Sequence, residues 1–151
     1  MDIREADLDD PSVRDLVTSH QQRAFENSPP GTSFALDLSG LRRPEITLYA
    51  AWDGNVLLGI GALMEVAGDA GEVKSMRTTD ASLRRGVGSA ILLHIESEAR
   101  RRGYARLLLE TGTGEAYRPA NAMYRKQGYI RRGPFGDYTE TGFNIFYEKT
   151  F

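Results

Sequence analysis

The chain contains no cysteine. That excludes disulfides, cysteine-ligated zinc and a thiol nucleophile, and with the last any ping-pong route through an acyl-cysteine. Its two histidines, His20 and His94, stand far apart, so no metal site is expected. No apolar run approaches the roughly 20 residues that a membrane-spanning helix needs. No charged leader with an apolar stretch opens the chain either, which points to a cytoplasmic protein with no membrane partner. An excess of basic charge is also lacking: 19 Lys and Arg against 21 Asp and Glu leave a net charge of −2, and such a field does not favour nucleic acid. Two phosphate signatures are missing. No Gly-x-x-x-x-Gly-Lys-Ser/Thr loop occurs, and Ile91 stands where a G-x-G-x-x-G fingerprint needs its third glycine. With no internal repeat or low-complexity linker, 151 residues of ordinary globular composition read as a single domain spanning 1–151.

What is present centres on Leu83-Arg84-Arg85-Gly86-Val87-Gly88-Ser89-Ala90-Ile91. Val87, Ile91, Ile95 and Ala99 recur every four residues and mark one face of a helix. Gly103 closes that helix as a left-handed cap, and Arg100, Arg101 and Arg102 suit the negative end of its dipole. At the other end the first backbone N–H groups have no intrahelical partner. Gly86 and Gly88 let a ligand approach that backbone, the dipole favours an anion, and Arg84 and Arg85 add charge. The stretch reads as a phosphate cradle opening a long helix, or as an ordinary glycine-relaxed loop.

Along the chain, Ile3–Ala6 suits a short first strand. Asp9-Asp10-Pro11-Ser12 starts a helix lasting to about Phe25, with Val13, Leu16 and Val17 on its apolar face. Phe34–Leu41 is a second short helix or a loop. Ile46–Trp52 and Val56–Met64 flank the turn Asp53-Gly54-Asn55 as a hairpin, where Gly59 and Gly61 mark a bulge or a close backbone approach. Glu72–Thr79 is a third core strand. Tyr104–Thr111, with Leu107-Leu108-Leu109 inside it, has the continuous apolar character of a buried parallel strand, so residues 72–111 form a right-handed strand–helix–strand crossover. Pro119 opens a further helix that Gly128 closes, Tyr129-Ile130 begins a strand, and Asn144–Phe151 is the last.

The glycine stretch resembles the acetyl-CoA pyrophosphate loop of the GNAT superfamily of acyl-CoA N-acyltransferases, which reads Arg/Gln-x-x-Gly-x-Gly/Ala. Gly86 and Gly88 match, and Leu83 departs from the leading position. The element order β-α-α-β-β-β-α-β-α-β-β matches too. Glu72-Val73-Lys74-Ser75-Met76-Arg77-Thr78 is similar to the family's fourth strand. Ala120-Asn121-Ala122-Met123-Tyr124-Arg125-Lys126-Gln127-Gly128-Tyr129 is similar to its Ala-x-x-x-Tyr-x-x-x-Gly-Phe helix. The resemblance implies an α/β (α+β) fold with a mixed central sheet flanked by helices, and acetyl-CoA as co-substrate. Met76 and Thr78, with Arg77 between them, would meet the pantetheine arm, and Arg84, Arg85, Gly86, Val87, Gly88 and Ser89 the pyrophosphate. Tyr117 replaces an asparagine common in the family, and Asn121, one turn from Tyr124, would substitute for it at the cofactor. The segment Gly133-Pro134-Phe135-Gly136-Asp137-Tyr138, with Glu110-Thr111-Gly112, resembles one branch of bacterial acetyltransferases.

Acetyl transfer to an amine requires loss of a proton from an ammonium of pKa near 10.4, a donor for the developing oxyanion, and an acid for the departing thiolate. The resemblance assigns the donor to the Met76 N–H or a neighbour and the acid to Tyr124. Glu72 is the candidate base, directly or through water, with Glu110 the alternative. Phe34, Trp52, Tyr117, Phe135 and Tyr138 are candidate walls of an acceptor pocket, and Gly133–Gly142 a lip over it. Arg100–Arg102 lie a helix length from Gly86, about 20 Å at 1.5 Å per residue, and so form a solvated helix end. The reading is an N-acetyltransferase moving acetyl from acetyl-CoA to a primary amine, on a small molecule or peptide, by direct attack in a ternary complex. The alternative is a non-catalytic acyl-CoA-binding module that senses acyl-CoA. Exposed edge strands would suit a homodimer.

Overall fold

A computed structural model describes residues 1–66 and 68–151. Strand β1 (Asp2–Glu5) leads to helix α1 (Pro11–Glu26). The Asp10 carboxylate accepts from the Ser12 and Val13 amides and Pro11 occupies the first turn, so the cap and proline expected from sequence set the start of α1. The ambiguous Phe34–Leu41 stretch resolves into a loop ending in one helical turn, α2 (Leu38–Leu41), capped by Asp37. Then come β2 (Ile46–Asp53), β3 (Val56–Val66), β4 (Ala70–Thr78), α3 (Val87–Arg101), β5 (Arg106–Gly112), α4 (Arg118–Lys126), β6 (Ile130–Arg132) and β7 (Asn144–Thr150). Strand β4 starts two residues earlier than the sequence suggests, at Ala70, because the β3 hairpin pairs Val66 with Ala70.

The seven strands form one sheet in the order β1-β2-β3-β4-β5-β7-β6. All neighbours are antiparallel except β4 and β5, which run parallel as the α3 crossover requires. Both sheet faces are covered. On one, Ile46, Leu48, Ala50 and Trp52 of β2 meet Val13, Leu16 and Val17 of α1 and Leu41 of α2. On the other, Tyr49 and Ala51 meet Val87, Ile91, Ile95 and Ala99 of α3 and Tyr124 of α4. Alternate residues of one strand thus serve two cores, which is the period-2 pattern of a strand buried on both sides. The edges, β1 and β6, are only four and three residues long, which limits strand addition.

Gly61 decides how closely α3 packs. A Cβ there would lie 2.5 Å from the Met76 sulfur and 2.6 Å from Ile91 Cγ2. The glycine also stands at a bulge. Ile60 pairs with Arg77 and Ala62 with Lys74, so one β3 residue faces two of β4, Ser75 and Met76. Both readings of this glycine pair, bulge and close approach, hold.

Candidate active site

Parallel pairing of β4 with β5 covers only Ala70↔Arg106, Gly71↔Leu107 and Glu72↔Leu108. Beyond that point β4 stays on β3 and β5 stays on β7, and the two central strands diverge as a wedge. A cavity of about 120 Å³ occupies the wedge. Val73, Lys74, Ser75 and Met76 line it from β4, Glu110, Thr111 and Gly112 from β5, and Ala120 and Tyr124 from α4. His20 and Ala24 of α1, the 28–36 loop, Tyr117 and Phe143 complete the wall.

The glycine loop lies at the far end of β4. Arg84 and Gly86 both have positive φ, 62° and 77°, and Gly86 is the residue before α3. A Cβ on Gly86 would meet nothing within 4 Å, so its glycine serves the left-handed turn and leaves the backbone open. Gly88 faces Met123 and Thr78, with a hypothetical Cβ 3.3 Å from the Met123 sulfur and 3.7 Å from Thr78 Oγ1. The loop, the end of β4 and α4 are therefore in contact. From Thr78 back to Lys74 is about 13 Å of extended strand at 3.3 Å per residue, the reach from the loop to the cavity. Met76 packs into the α3 core, and the Arg77 guanidinium pairs with Asp80 at 3.0 Å.

Tyr124 is buried, 5 % exposed, at the junction of cavity and core. Its ring packs against Tyr129 and Tyr147. Burial pushes its phenol well above the ordinary value, with no hydrogen bond contributing, so it is protonated throughout the neutral range.

The two carboxylates have different surroundings. Glu72, the first choice for a base from sequence, is 2 % exposed, whereas an isolated strand carboxylate is ordinarily solvated. Its Oε2 accepts from the Tyr138 hydroxyl at 2.5 Å and from Lys74 Nζ at 3.2 Å, and it is not among the residues lining the cavity. Glu110 does line it. One Glu110 oxygen accepts from Asn144 Nδ2 at 3.1 Å. Burial raises its carboxyl above the usual range, against the lowering effects of the Asn144 hydrogen bond and the nearby Lys74 charge. The structure thus reverses the sequence order of preference: Glu110 faces the cavity and Glu72 is tied into the wall.

Asn121 is engaged within its own chain. Its Nδ2 donates to the Gly112 and Tyr117 carbonyls at 3.1 and 3.0 Å, and its Oδ1 accepts from the Tyr147 hydroxyl at 3.1 Å. The amide ties α4 to β5 and β7, a structural role that sequence alone does not show. Of the expected aromatic walls, Phe34 and Tyr117 line the cavity. Tyr117 bonds Ser28 Oγ at 3.1 Å and lies flat on Gly112, where a Cβ would sit 2.4 Å from its ring. Trp52 is in the α1 core under Arg4, away from the site. Phe135 and Tyr138 form an aromatic cluster with Phe34 and Phe146 that pins the 133–142 segment beside the cavity.

Arg101 and Arg102 pair with Glu98, and Arg100 stacks on Phe151, as suits a helix end remote from the loop. His94 packs edge-on against Tyr49. Sequence reasoning set His20 aside as well, yet it lines the cavity, and burial lowers its pKa to about 4. Lys74 and Ser75 were not singled out. Their membership depends on the bulge, for which the pair Gly59 and Gly61 is the sign in the sequence. Among the described residues no cluster of potential metal ligands occurs, and no helix is long and apolar enough to cross a membrane.

Comparison with known proteins bears on the family and the fold. The profile of the Acetyltransferase (GNAT) family matches residues 11–129. An uncharacterized N-acetyltransferase of Bacillus subtilis, YsnE, is 44% identical over 149 residues, covering 99% of each chain. An uncharacterized N-acetyltransferase of Escherichia coli, YedL, is also 44% identical, over 90% of this chain and 86% of its own. Among solved structures, an acyl-CoA N-acyltransferase from Klebsiella pneumoniae superposes with a TM-score of 0.81 at 25% identity, covering 99% of this chain and 96% of that one.

Proposed function

The chain belongs to the acetyltransferase (GNAT) family, and we propose that it moves an acetyl group from acetyl-CoA to a primary amine by direct attack in a ternary complex. The observation that carries this reading is the wedge between β4 and β5, which holds a cavity reaching Tyr124 and Glu110, with the open glycine loop at the far end of the same strand. Backbone amides of the loop and the first turn of α3, from Gly86 to Ser89, supply donors for the pyrophosphate, and Arg84 and Arg85 supply charge. The free edge of β4 from Met76 to Thr78 suits the pantetheine arm, which would put the thioester in the wedge.

The acceptor enters from the α1 side, between the 28–36 loop and Phe143. Glu110, or water held by it, takes the ammonium proton. The freed nitrogen then attacks the thioester carbon, the C–N bond forms, and the acyl oxygen gains negative charge beside the β4 backbone. As the C–S bond breaks, the Tyr124 hydroxyl gives its proton to sulfur, and the second proton that the nitrogen sheds as the amide forms restores the phenol. Glu110 lines the cavity, and the charge of Lys74, the cation among the lining residues, is already paired with Glu72 behind the wall. That balance favours a cationic amine on a small molecule or a peptide end.

The test is thermal denaturation with acetyl-CoA and CoA, followed by CoA release across a panel of amines. Ligand at 100 times its dissociation constant raises stability by about 2.7 kcal/mol, so a shift of several degrees is expected with either thioester or thiol. Release should follow with at least one amine. Absence of a shift at millimolar concentration removes the CoA reading, and binding without release from any amine leaves an acyl-CoA-sensing module.

A further inference from the structure

Ser75 carries two features that an ordinary strand residue does not. Its backbone has φ 55°, the left-handed region, in the middle of β4. A non-glycine residue held there is strained, and such strain persists where surrounding structure imposes it. Its Oγ is buried and has no hydrogen-bond partner among the described residues, although leaving a buried hydroxyl unpaired is costly. Glycine would relieve both at once. The residue borders the cavity, on the strand edge where pairing with β5 has stopped, between Lys74 and Met76, so a small rotation of the buried hydroxyl suffices to meet a ligand there.

We propose that the Ser75 hydroxyl is a hydrogen-bond donor to the acyl oxygen of the bound thioester, a side-chain partner to the β4 backbone amide in holding the charge that oxygen acquires. The inference rests on the acetyl-CoA reading above. The chemistry selects this atom over the incoming amine. A nucleophilic nitrogen needs its lone pair free for attack, so a donor aimed at it would slow the reaction. The carbonyl oxygen becomes more basic as the C–N bond forms, so a donor there binds the transition state more tightly than the ground state. The bulge explains the position. With Ser75 and Met76 together opposite Gly61, the strand turns at Ser75 and brings this residue and the Met76 backbone into the cavity wall.

The role needs no knowledge of the natural acceptor to be tested. Free CoA has no acyl oxygen, so the ratio of acetyl-CoA to CoA affinity, measured by calorimetry, reads the contact directly. Ser75→Ala and Ser75→Gly should each lower acetyl-CoA affinity by about 2- to 10-fold while CoA affinity is unchanged, the range of one neutral hydrogen bond. With any amine that supports release, both variants should lose 10- to 100-fold in kcat. Ser75→Gly fits the left-handed backbone and keeps the bulge, so its melting temperature should equal or exceed that of the wild type. A serine present only to shape the strand predicts the opposite pattern: Ser75→Gly with wild-type affinity ratio and turnover, and that result overturns the proposal. Wild-type protein that binds neither acetyl-CoA nor CoA overturns the acetyl-CoA reading itself, and this inference with it.

Discussion

In the proposed reaction Tyr124 and Glu110 need opposite protonation states, and burial gives each a different margin. A phenol whose pKa is raised by burial stays protonated at every working pH, which an acid requires. Because no hydrogen bond holds its hydroxyl, Tyr124→Phe removes nothing that stabilises the fold. The variant should melt like the wild type and bind acetyl-CoA within a few-fold, yet lose about 10²- to 10⁴-fold in kcat if chemistry limits turnover. Normal kcat would assign the proton to water. A base, by contrast, must be ionised. Glu110 is raised by burial, so activity should fall on acidification at a higher pH than an ordinary carboxylate would give. Glu110→Gln should erase that limb from the pH–rate profile. Glu72→Gln should leave the limb in place and act on stability instead. Its carboxylate and Lys74 form a pair only 3 % and 11 % exposed, and removing one partner of such a pair leaves a buried charge uncompensated, at about 3 kcal/mol. Profiles altered the other way round would return the base assignment to Glu72.

At the level of elements, the site depends on how α3 lies against β3 and β4. The helix start is the proposed phosphate loop, so any change in the height of α3 above the sheet moves that loop. Gly61 fixes that height, with Ile91 and the Met76 side chain both in the space a Cβ would need. The Met76 sulfur, at the end of a flexible chain, can move aside. The Ile91 methyl, on the helix itself, can yield only by shifting α3. Gly61→Ala should therefore cost about 1–3 kcal/mol, roughly 3–10 °C in melting temperature for a chain of this length. It should also weaken acetyl-CoA binding, although Gly61 lies outside the loop. Gly133→Ala is the control: its Cβ would meet nothing within 4 Å, and neither melting nor binding should change. Lower stability with intact affinity in Gly61→Ala would show that the loop holds its shape independently of α3.

For the whole molecule, the sequence shows its periodic parts and hides its angular ones. The caps at Asp10 and Gly103, the four-residue rhythm from Val87 to Ala99 and the apolar run Leu107–Leu109 are local signals, and each element formed where those signals lie. The wedge is set by where β4, paired with β3 throughout, parts from β5, and no local signal records that point, so nothing in the sequence marks Ser75 and Lys74 as cavity residues. For the same reason nothing in the sequence shows that Asn121 bonds three elements of its own chain. His20 was hidden too, since a helix face does not say which residue a distant strand will bury. Its burial has a consequence for global stability. The folded protein holds His20 near pKa 4, with the Arg77 charge adding to the effect of burial, against 6.5 when unfolded. Between these values the unfolded chain binds the proton and the folded one does not, so stability is present above about 6.5 and is lost as pH falls toward 4. The loss amounts to about 2–3 kcal/mol over that span. Glu110, with its raised pKa, acts in the opposite direction, favouring the fold as it protonates. The Glu98 carboxylate, lowered chiefly by its hydrogen bond to Arg101, begins to lose its contribution only as pH falls through its ordinary 4.5. The difference in urea midpoint between wild type and His20→Gln, followed from pH 7 to 5, isolates the histidine, because Glu110 acts alike in both. The wild type should lose stability relative to His20→Gln across that interval, since position 20 of the variant takes up no proton on unfolding. Equal slopes in the two proteins would show that His20 titrates normally in the fold and that the α1 wall of the cavity is open to water.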